Sequence, residues 1–213
     1  MYDDFILDKD YFIKVVEDII NLIEEQRDYL TDLDSAIGDG DHGFNLSIGF
    51  REVKKNLKDW QDKDLTFIFK KVGMTLLSKV GGASGPLYGS FFIKFGEAAQ
   101  TKNEVNFKEF YNMFKAGIEA IEFRGKAKVG EKTMLDALKP GLDAFKDAIE
   151  NDLEPKQAFE KFVEAAKKGA ESTIPLVAKK GRAMRLGERA IGHLDPGAAS
   201  SVMILEAFLK NMT

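Results

Sequence analysis

Apolar residues recur along this chain with the spacing of amphipathic helices. Phe12, Val16, Ile19 and Ile23 fall at i, i+4, i+7 and i+11, which places them on one stripe of a helix. The same three- and four-residue spacing marks further segments at 68–80, 87–95, 107–121, 135–149, 159–166 and 202–209, and another helix is expected over about 43–58. No segment alternates strictly between apolar and polar residues, and no Asn-Gly hairpin turn occurs. The pattern predicts an all-α fold, a bundle of about eight helices.

Glycine-bearing connections separate these helical segments. They fall at 38–43, 81–86, 125–130, 181–187 and 192–197, and Pro155 is placed to begin a helix. No Pro/Ser-rich linker, composition shift or internal repeat divides the chain. We therefore expect a single domain over residues 1–213, with its glycine loops gathered at one end.

The composition excludes several classes of function. The chain has 213 residues, of which 44% are hydrophobic and 31% charged, and its formal net charge is −4. An acidic chain without a concentrated Lys/Arg stripe is a poor nucleic-acid binder, so no nucleic-acid partner is expected. Cysteine is absent, which rules out disulfides, zinc–thiolate sites and thiol catalysis. We find neither a signal peptide nor an apolar run of membrane-spanning length, so a cytoplasmic protein is expected.

The segment 34–43 concentrates negative charge in a small space. It contains Asp34, Asp39 and Asp41 together with three glycines, and it has no basic side chain. Carboxylates held close together repel each other unless a cation lies between them, and Mg²⁺ prefers such hard oxygen ligands. On one ideal helix Asp39 would point about 140° away from Asp34, so a loop is needed to bring all three together. The segment therefore predicts a magnesium site.

The acidic segment also matches parts of three other patterns. A solvated turn with helix-capping aspartates remains open, because Asp favours caps and turns. An EF-hand starting at Asp39 fails, because Phe44 stands where glycine is needed and Phe50 where Glu is needed. The glycines at 38, 40 and 43 match a dinucleotide fingerprint, but no strand precedes them and the aspartates would repel a pyrophosphate.

Three further loops have the composition of phosphate or nucleotide sites. Segment 80–89 combines glycines and a serine with Pro86 in a helix start, which favours a phosphate cradle but is also typical of an ordinary turn. Segment 124–133 is basic, and Met134 after it is suited to pack on a nucleotide base. Glu131 interrupts the P-loop pattern, so a Walker A site is not expected. The interpretation as a solvated Lys-rich loop stays open.

The third loop region, 179–197, is rich in arginine. Arg182, Arg185 and Arg189 offer forked donors for phosphate, although a surface charge run has the same composition. The two histidines of the chain, His42 and His193, both lie in glycine loops. A lone loop histidine is more often a simple hydrogen-bonding group than a catalyst.

Taken in order, these segments resemble the L subunits of bacterial dihydroxyacetone kinases. The resemblance covers nearly the whole chain and rests on residues 34–43, 73–78, 81–87, 124–127, 132–134 and 181–198. It implies a barrel of eight antiparallel helices with a nucleotide bound in loops at one end. The chain departs from the family pattern at Phe44 and by an extra residue within 198–201, and neither departure removes a ligand.

The resemblance also implies a set of site residues. Asp34, Asp39 and Asp41 would coordinate two Mg²⁺ ions that hold the phosphates of ADP. The residues expected to contact the nucleotide are His42, Gly43, Phe44, Asn45, Ala83, Ser84, Gly125, Thr133, Met134, Arg182, Asp195, Pro196 and Gly197. No catalytic side chain is expected, because phosphoryl transfer requires mainly positioning and charge neutralisation.

The function implied is that of a phosphotransferase subunit with ADP as a bound coenzyme. A phosphohistidine carrier (M subunit) would phosphorylate the ADP, and the phosphoryl group would pass to dihydroxyacetone on a K subunit. Two alternatives stay open. One is a kinase subunit that exchanges its nucleotide with ATP and serves a related short keto sugar. The other is a nucleotide-dependent module that regulates another protein, such as a transcription regulator.

Overall fold

The computed structural model describes residues 2–213, and helices dominate it. Its α-helices are α1 (Lys9–Glu25), α2 (Arg27–Ile37), α3 (His42–Asn56), α4 (Leu65–Lys79), α5 (Ser84–Ala98), α6 (Phe107–Gly125), α7 (Leu135–Glu150), α8 (Pro155–Glu171) and α9 (Pro196–Lys210). Two 3₁₀ segments lie at Leu57–Trp60 and Arg182–Ala190, and two strands, β1 and β2, at Ile6–Asp8 and Glu104–Asn106. The all-α prediction is confirmed. None of the helices in residues 2–213 has the length and apolar character that a bilayer span requires.

Eight of the helices close into a ring. Helix α1 packs against α3, each helix from α3 to α8 packs against the next, and α9 returns to α1. Four helix termini lie together at one end of the ring. Helix α1 ends there at Glu25, α3 begins at His42, α4 ends at Lys79 and α5 begins at Ser84. This alternation continues to α9, so neighbouring helices run antiparallel. The eight-membered antiparallel barrel matches the expectation from the sequence.

Helix α2 is the ninth helix, and it lies outside the ring. It packs against α3, α9 and the 3₁₀ segment Arg182–Ala190, at the end where α3 and α9 begin. Only Leu30 and Ile37 of its eleven residues are buried. Two buried positions give no apolar stripe, which explains why hydrophobic periodicity did not predict this helix.

A small sheet stands at the opposite end of the ring. Strands β1 and β2 pair antiparallel, with Leu7 opposite Val105. No alternating segment indicated these two strands, so they were not predicted. Each strand has three residues, which is too short for an alternating pattern to be recognised.

Phenylalanine rings fill the centre of the barrel. The ring of Phe114 lies within 4.9–6.1 Å, centroid to centroid, of the rings of Phe91, Phe95, Phe110, Phe159, Phe162 and Phe208. All six pairs are edge-on or tilted, and an edge-on arrangement is favoured for aromatic rings. Because the interior is packed in this way, a ligand site is expected at an end of the barrel, not along its axis.

Candidate functional site

A cleft of about 600 Å³ opens at the end of the barrel where α3, α5, α7 and α9 begin. All five glycine-bearing connections predicted from the sequence contribute to its walls. Its volume lies in the range of small-molecule and cofactor sites. Four helix N-termini face it, and the positive end of a helix dipole favours an anionic ligand.

Most of the predicted site residues line this cleft. They are Asp34, Asp39, Asp41, His42, Asn45, Ala83, Ser84, Gly125, Thr133, Met134, Arg182, Asp195, Pro196 and Gly197. Gly43 and Phe44 do not line it. Gly43 faces α2, and the Phe44 ring is 48% exposed beneath the guanidinium of Arg27. For these two residues, contact with a nucleotide stays a prediction.

The three aspartates of the acidic segment meet in the cleft. Asp34 lies in the last turn of α2, Asp39 in the following loop, and Asp41 at the start of α3. Each offers one carboxylate oxygen, and these oxygens lie within 4.8 Å of one another. The backbone N–H groups of Asp41 and His42 donate to one oxygen of Asp34, at 2.9 and 3.1 Å, and so fix the orientation of that carboxylate.

This donor set fits Mg²⁺. Closely spaced carboxylate oxygens are the ligands that this ion prefers, and phosphate oxygens and water complete its octahedron. The guanidinium of Arg182 forms an ion pair with Asp39, so a cationic group already approaches the cluster from the opposite wall. Asp34, Asp39 and Asp41 are thus suited to hold a divalent cation beside an anion.

A close approach of two helices places Asp34 beside Asp41. A Cβ atom built on Gly43 would lie 1.9 Å from the carbonyl oxygen of Arg27 and 2.6 Å from the hydroxyl of Thr31, both on α2. Only a residue without a side chain allows α2 and α3 to cross at this distance. Gly43 therefore acts on the acidic cluster through the backbone.

His42 lies between the acidic segment and the glycine loop that begins α5. Its Nδ1 lies 3.0 Å from the hydroxyl of Ser84, and its Nε2 lies 2.9 Å from the hydroxyl of Ser200. Burial lowers the pKa of His42 to about 4, although the nearby Asp34 carboxylate raises it. The imidazole is therefore neutral at pH 7 and serves as a hydrogen-bonding group.

A buried ammonium group joins the loop before α7 to the segments on either side of the second 3₁₀ segment. The Nζ atom of Lys132 donates to the carbonyl oxygens of His193, Thr173 and Ala190, at 2.6, 2.7 and 2.9 Å. The side chain is 2% exposed, and burial lowers its pKa, whereas the carboxylates of Asp195 and Asp136 raise it. Sequence reasoning missed this residue, because a lysine in a glycine-containing loop is usually solvated.

Asp195 begins the last helix at the floor of the cleft. Its carboxylate accepts a hydrogen bond of 2.8 Å from the backbone N–H of Ala198, and Pro196 occupies the first position of α9. Enclosure by the protein raises the pKa of Asp195 to about 7; the Ala198 N–H opposes this shift and the carboxylate of Asp136 adds to it. The predicted turn before the last helix is confirmed as a side-chain cap.

Cationic side chains also line the cleft. Arg124, Lys180, Arg182 and Arg185 all line it, whereas Arg189 does not. The cleft therefore presents both carboxylates and cations, and Arg182 pairs with Asp39 within it. This charge distribution is complementary to a polyphosphate that carries a divalent cation.

A comparison with family models matches residues 36–210 to the family described as the DAK2 domain. Among curated proteins, the chain is 54% identical over 211 residues to the PEP-dependent dihydroxyacetone kinase 2, ADP-binding subunit DhaL, of Listeria innocua. The alignment covers 98% of this chain and 97% of that protein. It is also 45% identical over 186 residues to the corresponding DhaL subunit of Escherichia coli, covering 87% of this chain and 89% of that one.

A solved structure shows the same fold. The dihydroxyacetone kinase of C. freundii in complex with AMP-PNP and Mg²⁺ superposes with a TM-score of 0.69 at 27% identity. The superposition covers 93% of this chain and 33% of that chain, so this protein spans about a third of that kinase. It spans nearly the full length of the L. innocua DhaL subunit.

Proposed function

The chain belongs to the DAK2 domain family, and on this basis we propose that it is the ADP- and Mg²⁺-binding subunit of a dihydroxyacetone kinase. It is a kinase subunit that works together with partner subunits. Bound ADP serves as a coenzyme that receives a phosphoryl group and passes it to dihydroxyacetone, giving dihydroxyacetone phosphate.

One observation carries this proposal. Three carboxylates, two glycine-bearing helix starts and an arginine wall converge on one cleft of about 600 Å³. A solvated acidic turn does not explain this convergence, because the three aspartates come from a helix, a loop and a second helix. Mg²⁺ with a nucleoside diphosphate satisfies both the negative and the positive parts of the cleft.

Each part of the cleft has a distinct task. Asp34, Asp39 and Asp41 would hold two Mg²⁺ ions, which neutralise the charge of the phosphates when bound. Ser84 and the first backbone N–H groups of α5 offer donors to phosphate oxygens. Arg182 supplies a forked donor at the mouth.

The nucleoside is assigned to the wall beside the metal and phosphate groups. Gly125, Thr133 and Met134 line that wall, with Asp195, Pro196 and Gly197 at the floor. Met134 is 5% exposed and presents a polarisable thioether to a base. The remaining nucleotide contacts, including those of Asn45 and Ala83, are proposed from their place in the same cleft.

We assign the two partner steps to other proteins. The chain has no cysteine, and both ring nitrogens of His42 are bonded to hydroxyl groups. His42 is therefore not free to act as a phosphoryl acceptor. A phosphohistidine carrier as donor and a K subunit that holds dihydroxyacetone complete the reaction, with the cleft mouth as the place where the nucleotide meets each of them.

The metal assignment is tested by Asp39→Asn and Asp41→Asn. Each change removes a charged ligand, so we expect Mg²⁺-dependent ADP affinity to fall about 100-fold or more. The measurement is titration calorimetry of ADP in Mg²⁺ and in EDTA. Asp32→Asn is the matched control, because Asp32 is exposed on α2 and does not line the cleft. Wild-type affinity in both variants would refute the metal site.

The coenzyme route is tested by following the bound nucleotide. We expect the purified protein to retain ADP and to exchange it little with added ATP. A phosphohistidine carrier should convert the bound ADP into a phosphoryl donor for dihydroxyacetone on a K subunit. Rapid exchange, with ATP-driven phosphorylation of dihydroxyacetone, would support the ATP-dependent alternative instead.

A further inference from the structure

A chain of buried hydroxyl groups continues from His42 into the protein interior. The hydroxyl of Ser200, which contacts His42 Nε2 at 2.9 Å, lies 2.6 Å from the hydroxyl of Tyr88, and Tyr88 lies 2.8 Å from the hydroxyl of Ser201. Tyr88, Ser200 and Ser201 are all at most 2% exposed. Ser84, on the other side of His42, lines the cleft. We refer to Ser84, His42, Ser200 and Tyr88 as the relay.

The protons of the relay have two self-consistent arrangements. In the outward arrangement Tyr88 donates to Ser200, Ser200 donates to His42 Nε2, and His42 Nδ1–H donates to Ser84. The hydroxyl proton of Ser84 then points into the cleft. In the inward arrangement every bond is reversed, the imidazole carries its proton on Nε2, and Ser84 donates to Nδ1. Only oxygen lone pairs of Ser84 then face the cleft.

The alternative acceptors near the relay favour the outward arrangement. The carbonyl oxygen of Gly197 lies 3.2 Å from the hydroxyls of both Tyr88 and Ser200, which is long for an O–H donor. The bonds within the relay are shorter, at 2.6–3.0 Å. In the outward arrangement each proton is used in one of these shorter bonds, with Ser201 donating to Tyr88. In the inward arrangement Tyr88 accepts from Ser200, and its own proton goes either to the Gly197 carbonyl oxygen at 3.2 Å or to Ser201, which then no longer has Tyr88 as an acceptor.

We propose that Tyr88 and Ser200 are positioning residues that hold His42 as the Nδ1–H tautomer and so direct the Ser84 hydroxyl proton at a bound phosphate. This inference rests on the proposed function, which supplies the anion. A serine that presented only lone pairs at this place would repel a phosphate oxygen. The buried hydroxyls therefore affect nucleotide binding without touching the nucleotide.

The relay also connects the phosphate side of the cleft to its metal side. The backbone N–H of His42 donates to Asp34, while its ring contacts Ser84. The same residue therefore orients a metal-site carboxylate and the predicted phosphate donor. The backbone N–H contacts Asp34 whichever ring nitrogen carries the proton, so the relay itself acts on the nucleotide through Ser84.

The test is a double-mutant cycle on Mg·ADP affinity with Ser200→Ala and Ser84→Ala. Each single change should weaken binding about 3- to 10-fold, as expected for one lost hydrogen bond. Because Ser200 acts through Ser84, Ser200→Ala should have almost no effect in the Ser84→Ala background. Ser47→Ala is the control: it removes an equally buried hydroxyl, which contacts Glu24 outside the cleft, and its effect should be independent of Ser84.

The second readout is the tautomer itself. With two histidines in the chain, the ring ¹⁵N shifts of His42 are readily assigned by NMR. We expect the Nδ1–H form in the Mg·ADP complex of the wild type and an increased Nε2–H fraction in Tyr88→Phe, which keeps the ring and removes the hydroxyl. This readout does not depend on the folding of the Ser200 variant.

The possible results separate the two proposals. An Nε2–H tautomer in the complex, or losses from Ser200→Ala and Ser84→Ala that multiply, would overturn the relay and leave the proposed function standing. A wild-type chain that does not bind Mg·ADP would overturn both. The Nδ1–H tautomer together with coupled losses supports the relay.

Discussion

Replacement of Lys132 by Met tests whether the buried ammonium holds the cleft together. In the native protein Nζ donates to carbonyl oxygens of Thr173, Ala190 and His193 at 2.6–2.9 Å. Methionine has a similar length and reproduces the apolar stem, but it has no donor. All three carbonyl groups then lose the ammonium, although the Thr173 oxygen still accepts from the backbone N–H of Leu176 at 3.1 Å.

The expected cost follows from those three bonds. A hydrogen bond to a charged group contributes about 1.5–3 kcal/mol, and a buried acceptor left unpaired costs about 1–3 kcal/mol. Removal of the ammonium also relieves the cost of burying a charge, which offsets part of the loss. We therefore expect Lys132→Met to lower the free energy of unfolding by about 3–5 kcal/mol.

Urea unfolding followed by far-UV circular dichroism measures this loss. With a slope of about 2–3 kcal/mol/M, the midpoint should fall by about 1–2 M without a change in slope. Lys128→Met is the matched control, because Lys128 lies in the same loop and its side chain is exposed. If the two variants unfold at the same urea concentration, the reasoning is refuted.

Two further predictions concern residues that line or support the cleft. Burial raises the pKa of Asp195 from 3.8 to about 7. Between these pH values the native protein keeps a proton on this carboxyl that the unfolded chain has released. The free energy of unfolding therefore falls as the pH rises through this range. The control is Asp195→Asn, which retains a capping side chain but does not titrate. Relative to this variant, the wild type should lose about 1–2 kcal/mol of unfolding free energy between pH 5 and 7. Urea unfolding without Mg²⁺ measures the difference, and parallel pH profiles for the two proteins would contradict it. Gly43→Ala introduces a Cβ 1.9 Å from the carbonyl oxygen of Arg27, so it should destabilise the protein by about 1–3 kcal/mol and weaken Mg²⁺-dependent ADP binding through Asp34. Thermal unfolding and calorimetry check both effects, and an unchanged Tm would show that α2 and α3 have room for the methyl group.

Hydrophobic spacing predicted seven of the eight helices of the ring, and the eighth was expected over about 43–58. A stripe such as Phe107, Phe110, Phe114, Ile118 and Ile121 is determined locally, because residues three and four apart share a face whatever lies opposite. Helix α2 was not predicted, because it has no such stripe. It crosses the end of the barrel, buries Leu30 and Ile37, and therefore carries no stripe.

The cation site and the glycine loops of the cleft were predicted from the sequence, because each lies within a short segment. Asp34, Asp39 and Asp41 lie within eight residues of one another, so their charge density alone indicated a cation. Glycines marked the loops, and the order of the motifs indicated the family. These features depend on residue type and spacing, which the sequence states directly.

Tertiary structure decided which distant side chains act together. Ser200 reaches His42 across 158 positions of the chain, and Lys132 reaches the His193 carbonyl across 61. A buried hydroxyl or ammonium is recognised by the partners that replace water around it, and those partners are known only once the chain has folded. The sequence by itself determined the helices and the acidic segment, whereas the fold determined which polar groups lie behind the cleft and how they orient it.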